Sequence, residues 1–337
     1  MTAPAASRRR LRVHVAALTS QNEVFWVTPE RFAAAVARHA DVGRRIDVDF
    51  SWDLEGFAEA VADADALIGW RFPQAELARL APRLRWIQLT GAGHEHLQPF
   101  DWLPRGVALT TNSGAHAPKA AEFAATAILM LNNDLPFLMT NQRKARWEQS
   151  FSSCIEGKTL AVIGVGAMGG AAARWAKQRL KMHVLGVRRS GRGHRYVDTM
   201  YRPGELDQVL PEADFVLVTA PLTRETEGLI DRRALASMKR GAGLINMGRA
   251  RVVDYVALAD ELRSGRLRGA VLDVFDPEPL PADSPLWSTP NLVISPHVSS
   301  DDVGNYIDRT LDVFFANVRR FLSNRPLRNR VVKARQY

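Results

Sequence analysis

The stretch Leu160–Gly170, LAVIGVGAMGG, constrains this chain more than any other. A short apolar run, Leu160–Ile163, meets glycines at Gly164, Gly166 and Gly169, and an alanine-rich segment of helical composition, Ala171–Leu180, follows. That order reads as strand, tight turn, helix. The first glycine lets the chain turn without a Cβ clash. The second lets backbone approach a pyrophosphate, and the third lets helix and strand pack closely. The turn, with Ala167 and Met168 between the glycines, then faces phosphate charge at a helix N-terminus. The expectation is a dinucleotide site.

With 337 residues the chain is long enough for two domains, each burying its own core. No apolar run approaches the length that spans a bilayer, so no membrane association is expected. A single cysteine, Cys154, excludes an intramolecular disulfide and a zinc cluster, which fits a reducing, cytoplasmic setting. The start, MTAPAASRRRLRVHVAALTSQ, has the arginines of an export signal. However, Arg12 and His14 interrupt its apolar region, and Leu11–Leu18 reads better as a first strand. Residues 1–10 are then a disordered tail.

The net charge of +9 raises the question of nucleic acid. Four arginines in residues 1–12, and six arginines with one lysine in residues 319–337, carry more than all of it. The body between them is near neutral. No base-stacking aromatic pattern accompanies the basic ends, so they read as solvated surface and no nucleic-acid partner is expected.

Before the glycine fingerprint, helical and extended segments alternate. Helices are expected at Glu30–His39, Leu54–Ala62 and Ala75–Leu80, and strands at Ile46–Phe50, Ala66–Ile68, Trp86–Leu89 and Val107–Thr110. Alternating βα units imply a parallel sheet covered on both faces. Two long helices, Ala117–Leu131 and Leu135–Trp147, precede the fingerprint. After it a second alternation places strands at His183–Val187, Phe215–Thr219, Gly243–Asn246, Ala270–Leu272 and Leu292–Ile294, with helices around Leu206–Leu210, at Arg232–Met238 and at Tyr255–Arg263. The amphipathic stretch Val303–Leu322 comes too late for that sheet and is expected to return to the first domain. The expected fold is α/β with two doubly wound domains, a Rossmann cofactor domain (113–298) inserted into a flavodoxin-like substrate domain (1–112 and 299–337). A cleft is expected between them.

Seven separated motifs, QLTGAGHEHL, AEFAATAILML, VIGVGAMGG, TAPLTRETEGLI, INMGRARVVD, LDVFDPEPLP and ISPHVSS, succeed one another in the order of a known family. From about Ile87 to Val298 the chain resembles the D-isomer-specific 2-hydroxyacid dehydrogenases, in particular the glyoxylate/hydroxypyruvate reductase type. Members reduce 2-oxo acids with a nicotinamide cofactor. Such a reduction puts negative charge on the carbonyl oxygen as hydride reaches C2, so the site needs a proton donor and a fixed cation.

The resemblance implies that His297 is the acid/base and that Glu278 is its partner, a carboxylate that favours the imidazolium. Formate dehydrogenases resemble this pattern but carry glutamine at that place, having no alkoxide to protonate, so Glu278 argues for hydroxy-acid chemistry. Arg249 matches the arginine that holds the substrate carboxylate, for which a planar guanidinium is suited. The turn Gly91, Ala92 and Gly93 corresponds to a loop that offers backbone N–H groups to the same carboxylate. Asp273 corresponds to a contact with the nicotinamide carboxamide, and Pro221 and Met247 to lining of the cofactor cleft. His94 and His96 fall on opposite faces of any extended segment without a third ligand, so no metal is assigned. Arg71 and Arg251 read as surface charges. Asn132–Asp134 stand where many relatives have arginine, which leaves helix pairing there open.

NAD enzymes place an acidic residue near the end of the strand after the fingerprint, where it binds the ribose 2′-hydroxyl. Here that strand ends LGVRRSGRGHR, with Arg188 at the acidic position and Arg189 next to it. Guanidinium groups pair with a 2′-phosphate, so the expected cofactor is NADP(H), with NAD(H) possible. The expected activity is NADP-dependent reduction of a small anionic 2-oxo acid such as glyoxylate, hydroxypyruvate or an aryl pyruvate. The apolar helix Ala121–Leu131 suits a homodimer. Two alternatives stay open: a dinucleotide-sensing interaction protein of the same fold, and a phosphite or phosphoglycerate dehydrogenase.

Overall fold

Short apolar runs build two separate parallel sheets in the computed structural model, which describes residues 9–332. The chain divides into two units, one holding the described residues of Met1–Ala115 and Asp302–Tyr337 and the other holding His116–Asp301. The boundaries come after Ala115 and Asp301, three residues later than residues 112 and 298 read from the sequence. Of the expected tail, residues 1–8 lie outside the described residues, as do Lys333 and Arg335 of the basic C-terminal end. Arg9 and Arg10 are not loose: they pair with Asp65 and Asp47, each at 3.1 Å. At the other end Arg319 forks onto Asp41 at 2.7 and 2.6 Å.

The sheet of the first unit holds β1 (Leu11–Ala17), β2 (Ile46–Trp52), β3 (Ala66–Gly69), β4 (Trp86–Leu89) and β5 (Ala108–Thr110). All pairs are parallel, in the order β2-β1-β3-β4-β5, which is the flavodoxin-like arrangement. β3 and β4 are buried along their whole length, which is why they read as unbroken apolar runs. The helix Tyr306–Leu322 returns to this sheet. Its Ile307, Leu311, Phe314, Phe315 and Val318 share a core with Val13, Val15 and Ile68, and Phe314 stacks on Trp86 at 4.9 Å between ring centroids. The helix expected from Leu54 begins only at Phe57, because Asp53, Leu54 and Gly56 take positive φ values (50°, 68° and 63°) in a turn.

The second sheet holds β6 (Thr159–Ile163), β7 (His183–Val187), β8 (Thr199–Tyr201), β9 (Phe215–Val218), β10 (Gly243–Asn246), β11 (Gly269–Leu272) and β12 (Leu292–Ile294). Its order is β12-β11-β10-β9-β6-β7-β8, again parallel throughout. Strand order reverses between β6 and β9, the topological switch point where such sheets gather ligands. This is a Rossmann-type sheet in a segment inserted into the first unit. β8 is unanticipated, being three residues long after a glycine- and arginine-rich loop, too short to show a period. The fingerprint helix spans Ala167–Gln178 and so starts before Ala171. Glycines at 169 and 170 mask its start in the sequence.

The helix from Leu135 stops at Arg143 rather than Trp147, with Ala145 at φ 50°. Trp147 and Phe151 beyond it are 97% and 86% exposed. Within Asn132–Asp134, Asp134 pairs with Arg268 at 3.2 Å and accepts from Ser150 at 2.6 Å, while Lys158 donates to Asn132 at 2.6 Å. Among the described residues, no helix is long and apolar enough to cross a membrane.

Candidate active site

At the switch point the three glycines divide their labour as the chain geometry requires. Gly164 has φ 103°, and a Cβ there would lie 2.5 Å from the Ala220 amide nitrogen in the loop after β9. A Cβ on Gly169 would meet Gly164 O at 2.5 Å and Thr219 Oγ1 at 2.6 Å, so this position seats the helix against the strand. A Cβ on Gly166 would meet nothing within 4 Å. Gly166 is also the N-cap of the Ala167–Gln178 helix and makes no side-chain cap. Its first N–H groups, those of Ala167 and Met168 among them, therefore have no intrahelical acceptor. An anionic group fits this cradle on geometry and dipole alike.

Two further loops close around it. Thr219 Oγ1 donates to Gly164 O at 2.8 Å, and a Cβ on Gly248, in the loop after β10, would lie 2.6 Å from Ala220 O. Gly248 is a tight-packing position that sequence reasoning passed over. Pro221 is exposed beside these loops and its carbonyl accepts from Thr226 at 2.6 Å. Met247, expected to line a cofactor, is only 4% exposed and its side chain belongs to the core beneath the sheet. It presents its neighbourhood with backbone, not side chain.

Arg188 comes directly after β7. Its backbone N–H donates to Tyr201 O at 3.1 Å, and its Nη2 donates to Gly193 O at 3.1 Å, curling the loop beyond it around the guanidinium. Gly191, at φ 62°, lets Arg202 lie over the turn, with Nε 3.0 Å from where a Cβ would sit. Arg189 is exposed beside it. Burial first, and then the Arg188 charge, hold the His194 pKa below the usual imidazole value. The loop is a concentration of positive charge at the edge of the strand that neighbours β6.

Arg249 ends the turn after β10. Asn246, at the last position of β10 and fully buried, shapes that turn: its Oδ1 accepts from Gly248 N at 3.0 Å, and its Nδ2 donates to Arg249 O at 3.1 Å. Nδ2 also donates to the Tyr255 hydroxyl at 2.9 Å, which in turn donates to Val274 O at 2.8 Å. Burial pushes the Tyr255 hydroxyl pKa well up. Arg249 Nη1 bonds Gly248 O at 2.9 Å, turning the guanidinium back on its own loop. Asn246 and Tyr255 were missed; a polar residue closing an otherwise apolar, fully buried strand was the available signal for the first.

Glu278 and His297 meet directly, Oε2 to Nδ1 at 2.8 Å, and Glu278 Oε1 accepts from Phe275 N at 2.8 Å. His297 sits at φ 55°, a left-handed conformation that a non-glycine residue adopts only when its loop is held. Asp273 holds it. Its Oδ1 accepts from Ser295 Oγ at 2.7 Å, Val298 N at 3.0 Å and Ser299 N at 3.1 Å. The carboxylate expected against a nicotinamide carboxamide is 1% exposed and occupied with the loop that carries the histidine. The imidazole itself stays half-exposed.

Gly91, Ala92 and Gly93 lie in the first unit, in the turn after β4. The space at Gly91 is set by Trp70: a Cβ would come within 2.2 Å of the indole. Trp70 also packs against His96 at 4.1 Å between ring centroids, and His96 Nε2 donates to Trp70 O at 2.9 Å. Both histidines of this segment are thus engaged in packing, the His94 ring resting edge-on against Phe100. Arg71 is exposed. Arg251 pairs with Glu227 and lies 3.7 Å from Asp276.

Similarity to known proteins extends over most of the chain. The profile of the D-isomer specific 2-hydroxyacid dehydrogenase NAD binding domain matches residues 125–299. Glyoxylate reductase of Korarchaeum cryptofilum is 33% identical over 253 residues, 72% of this chain and 75% of that protein. Among solved structures, a D-isomer specific 2-hydroxyacid dehydrogenase from Xanthobacter autotrophicus Py2, in complex with NADPH and MES, superposes with TM-score 0.81. It is 28% identical, over 98% of this chain and 100% of that one. An NADPH-dependent glyoxylate/hydroxypyruvate reductase from Sinorhizobium meliloti, in complex with NADP and sulfate, gives TM-score 0.78 at 25% identity, over 97% and 100%.

Proposed function

Because this chain belongs to the D-isomer specific 2-hydroxyacid dehydrogenases, an NAD(P)-dependent oxidoreductase family, we propose that it reduces a small 2-oxo acid to the D-2-hydroxy acid with NADPH. The observation that carries the reading is the 2.8 Å contact between Glu278 Oε2 and His297 Nδ1. With Nδ1 engaged by a carboxylate, the proton that His297 gives to the substrate is the one on Nε2.

Arg249 holds the substrate carboxylate and polarises the adjacent carbonyl. The Gly91, Ala92, Gly93 turn is assigned to the same carboxylate. Gly164, Gly166, Ala167, Met168 and Gly169 hold the cofactor pyrophosphate, with Pro221 and the Met247 backbone beside it, and Asp273 fixes the loop facing its nicotinamide. Bound cofactor supplies hydride to C2 of the substrate. His297 protonates the oxygen as its charge develops, and the reverse reaction returns that proton to Nε2.

NADP(H) rather than NAD(H) is assigned from Arg188 and Arg189, whose guanidinium groups pair with a 2′-phosphate where an acid would repel it. The NADP-complexed relative from Sinorhizobium meliloti supports that choice, and the names of the relatives support glyoxylate or hydroxypyruvate as substrate. We place the enzyme in the cytoplasm as a homodimer. The exposed Trp147 and Phe151, with Leu129, Leu135 and Leu138 also exposed, supply apolar surface for a second copy.

The test is NADPH oxidation by the purified protein with glyoxylate, hydroxypyruvate, phenylpyruvate, phosphohydroxypyruvate and, in the oxidative direction with NADP, phosphite. Turnover of one of the first three, with D product where a stereocentre forms, supports the assignment. Turnover of only the last two moves the enzyme to another substrate class. Cofactor binding without any turnover favours a dinucleotide-sensing role.

A further inference from the structure

The loop that carries His297 is held a second time, by a residue the chemistry above does not use. His116 Nδ1 donates to Ser300 O at 3.3 Å and lies 3.7 Å from Asp301 Oδ1, with side chains only 12% and 24% exposed. A carbonyl oxygen can only accept, so the contact requires hydrogen on Nδ1. His116 and Asp301 are the first and last residues of the second unit. Their contact closes the inserted segment on itself at the end of the 295–301 loop.

From these contacts we infer that His116 is a positioning residue for His297. Asp273 grips the loop at Ser295, Val298 and Ser299, and His116 grips it at Ser300 and Asp301. The two grips are complementary. The bonds of Asp273 reach no further than Ser299, so fraying at Ser300 and Asp301 would spread to the Ser299 N–H that the same carboxylate binds. His297 stands in a left-handed conformation at φ 55°, so a loop that relaxes toward the commoner backbone regions changes the direction of its Cα–Cβ bond and with it the aim of the imidazole.

Burial favours the neutral form of both members of the pair. Burial leads in holding the His116 pKa below the usual imidazole value; His297 and Arg249 act in the same direction and Asp301 against it. Burial likewise raises the Asp301 carboxyl, aided by Asp273 and opposed by His116 and His297. At neutral pH His116 is thus an uncharged Nδ1–H donor, which does not compete with His297 as a second cation beside Arg249.

This inference rests on the assignment of His297 as the acid/base, but its test has an arm that does not. Hydrogen–deuterium exchange of the full-length protein, wild type against His116→Ala, is predicted to rise on the order of tenfold in residues 295–301 and to stay unchanged in the strands of the second sheet. His116→Asn, whose Nδ2 branches where Nδ1 does, should restore most of the protection. In kinetics with NADPH and the best 2-oxo acid, His116→Ala should lower kcat roughly ten- to a hundredfold with KM within about threefold, since a displaced acid costs the transition state and not carboxylate binding. Unchanged exchange in 295–301 would overturn the inference, as would loss spread through the whole unit and not rescued by asparagine. A wild-type protein that turns over no 2-oxo acid would defeat the reductase assignment, while the exchange comparison would still decide the grip.

Discussion

Glu278 binds His297 with one carboxylate oxygen and the backbone of its own turn with the other: Oε2 to Nδ1 at 2.8 Å, Oε1 to Phe275 N at 2.8 Å. The two bonds do different work. The second fixes the carboxylate, so the first orients an imidazole that is otherwise half-exposed. The same turn is tied through Val274 O, Tyr255 and Asn246 to the turn that ends at Arg249. One hydrogen-bonded line therefore sets both the proposed acid and the proposed carboxylate anchor.

Replacing the orienting carboxylate should cost turnover without costing the fold. Glu278→Gln keeps the size and the acceptor for Phe275 N but not the charge on Nδ1. A fall in kcat of about 10²-fold is expected, the low end for a misadjusted general acid. Thermal melting within about 2 °C of wild type would confirm that the fold is intact. An unchanged kcat would remove Glu278 from the mechanism.

Cofactor choice should track the charge at the end of β7. Arg188→Asp with Arg189→Ser replaces two guanidinium groups by an acid that suits a ribose 2′-hydroxyl. The ratio of kcat/KM for NADPH to that for NADH is expected to fall by on the order of 10²-fold, about 1.4 kcal/mol for each factor of ten. A wild-type preference for NADH, or a ratio unmoved by the double variant, would contradict the assignment.

The buried His14 should make stability depend on pH. It is 0% exposed in β1, with Nε2 and Ser51 Oγ 2.9 Å apart, and burial pushes its pKa down from 6.5 to about 4. Because the folded value is the lower one, the unfolded chain binds the extra proton. The contribution is present above pH 6.5 and is lost as pH falls through about 4. Urea denaturation at pH 7.5 and 4.5 should show a loss for which His14 accounts by about 2–3 kcal/mol. His14→Gln, which cannot titrate, should reduce that difference by a similar amount. An identical pH dependence in the variant would contradict it.

The C-terminal helix should prove indispensable to the first unit. Phe314 is fully buried and stacked on Trp86, so Phe314→Ala should cost about 3–5 kcal/mol in denaturant unfolding. A loss under about 1 kcal/mol would mean that the helix does not pack on this sheet as described.

Much of this architecture was legible because parallel strands covered on both faces must be apolar throughout. The bounds of β4, β7, β10 and β12 and of the Tyr255–Arg263 helix coincide with those read from composition alone. The early start of the fingerprint helix was hidden because glycines at 169 and 170 oppose helix locally, while the collision awaiting a Cβ at 169 bears out the close helix–strand packing expected of the third glycine. At Gly91 the resemblance implies backbone that approaches a carboxylate, and the structure adds a packing reason for glycine, since Trp70 occupies the space a side chain would need. The supporting residues Tyr255, Asp273 and His116 could not be read in these roles. Each acts through hydrogen bonds to backbone or side chains of another loop, which no local period records. The extreme case is His116, whose partner Ser300 lies at a sequence separation of 184.

The role of His297 as the proton donor is tested by turnover of His297→Ala beside an NADPH-binding titration of the same protein. With the best 2-oxo acid kcat should fall by about 10²–10⁴-fold while the NADPH dissociation constant stays within about threefold of wild type. Turnover at the wild-type rate in a variant that still binds NADPH would contradict it.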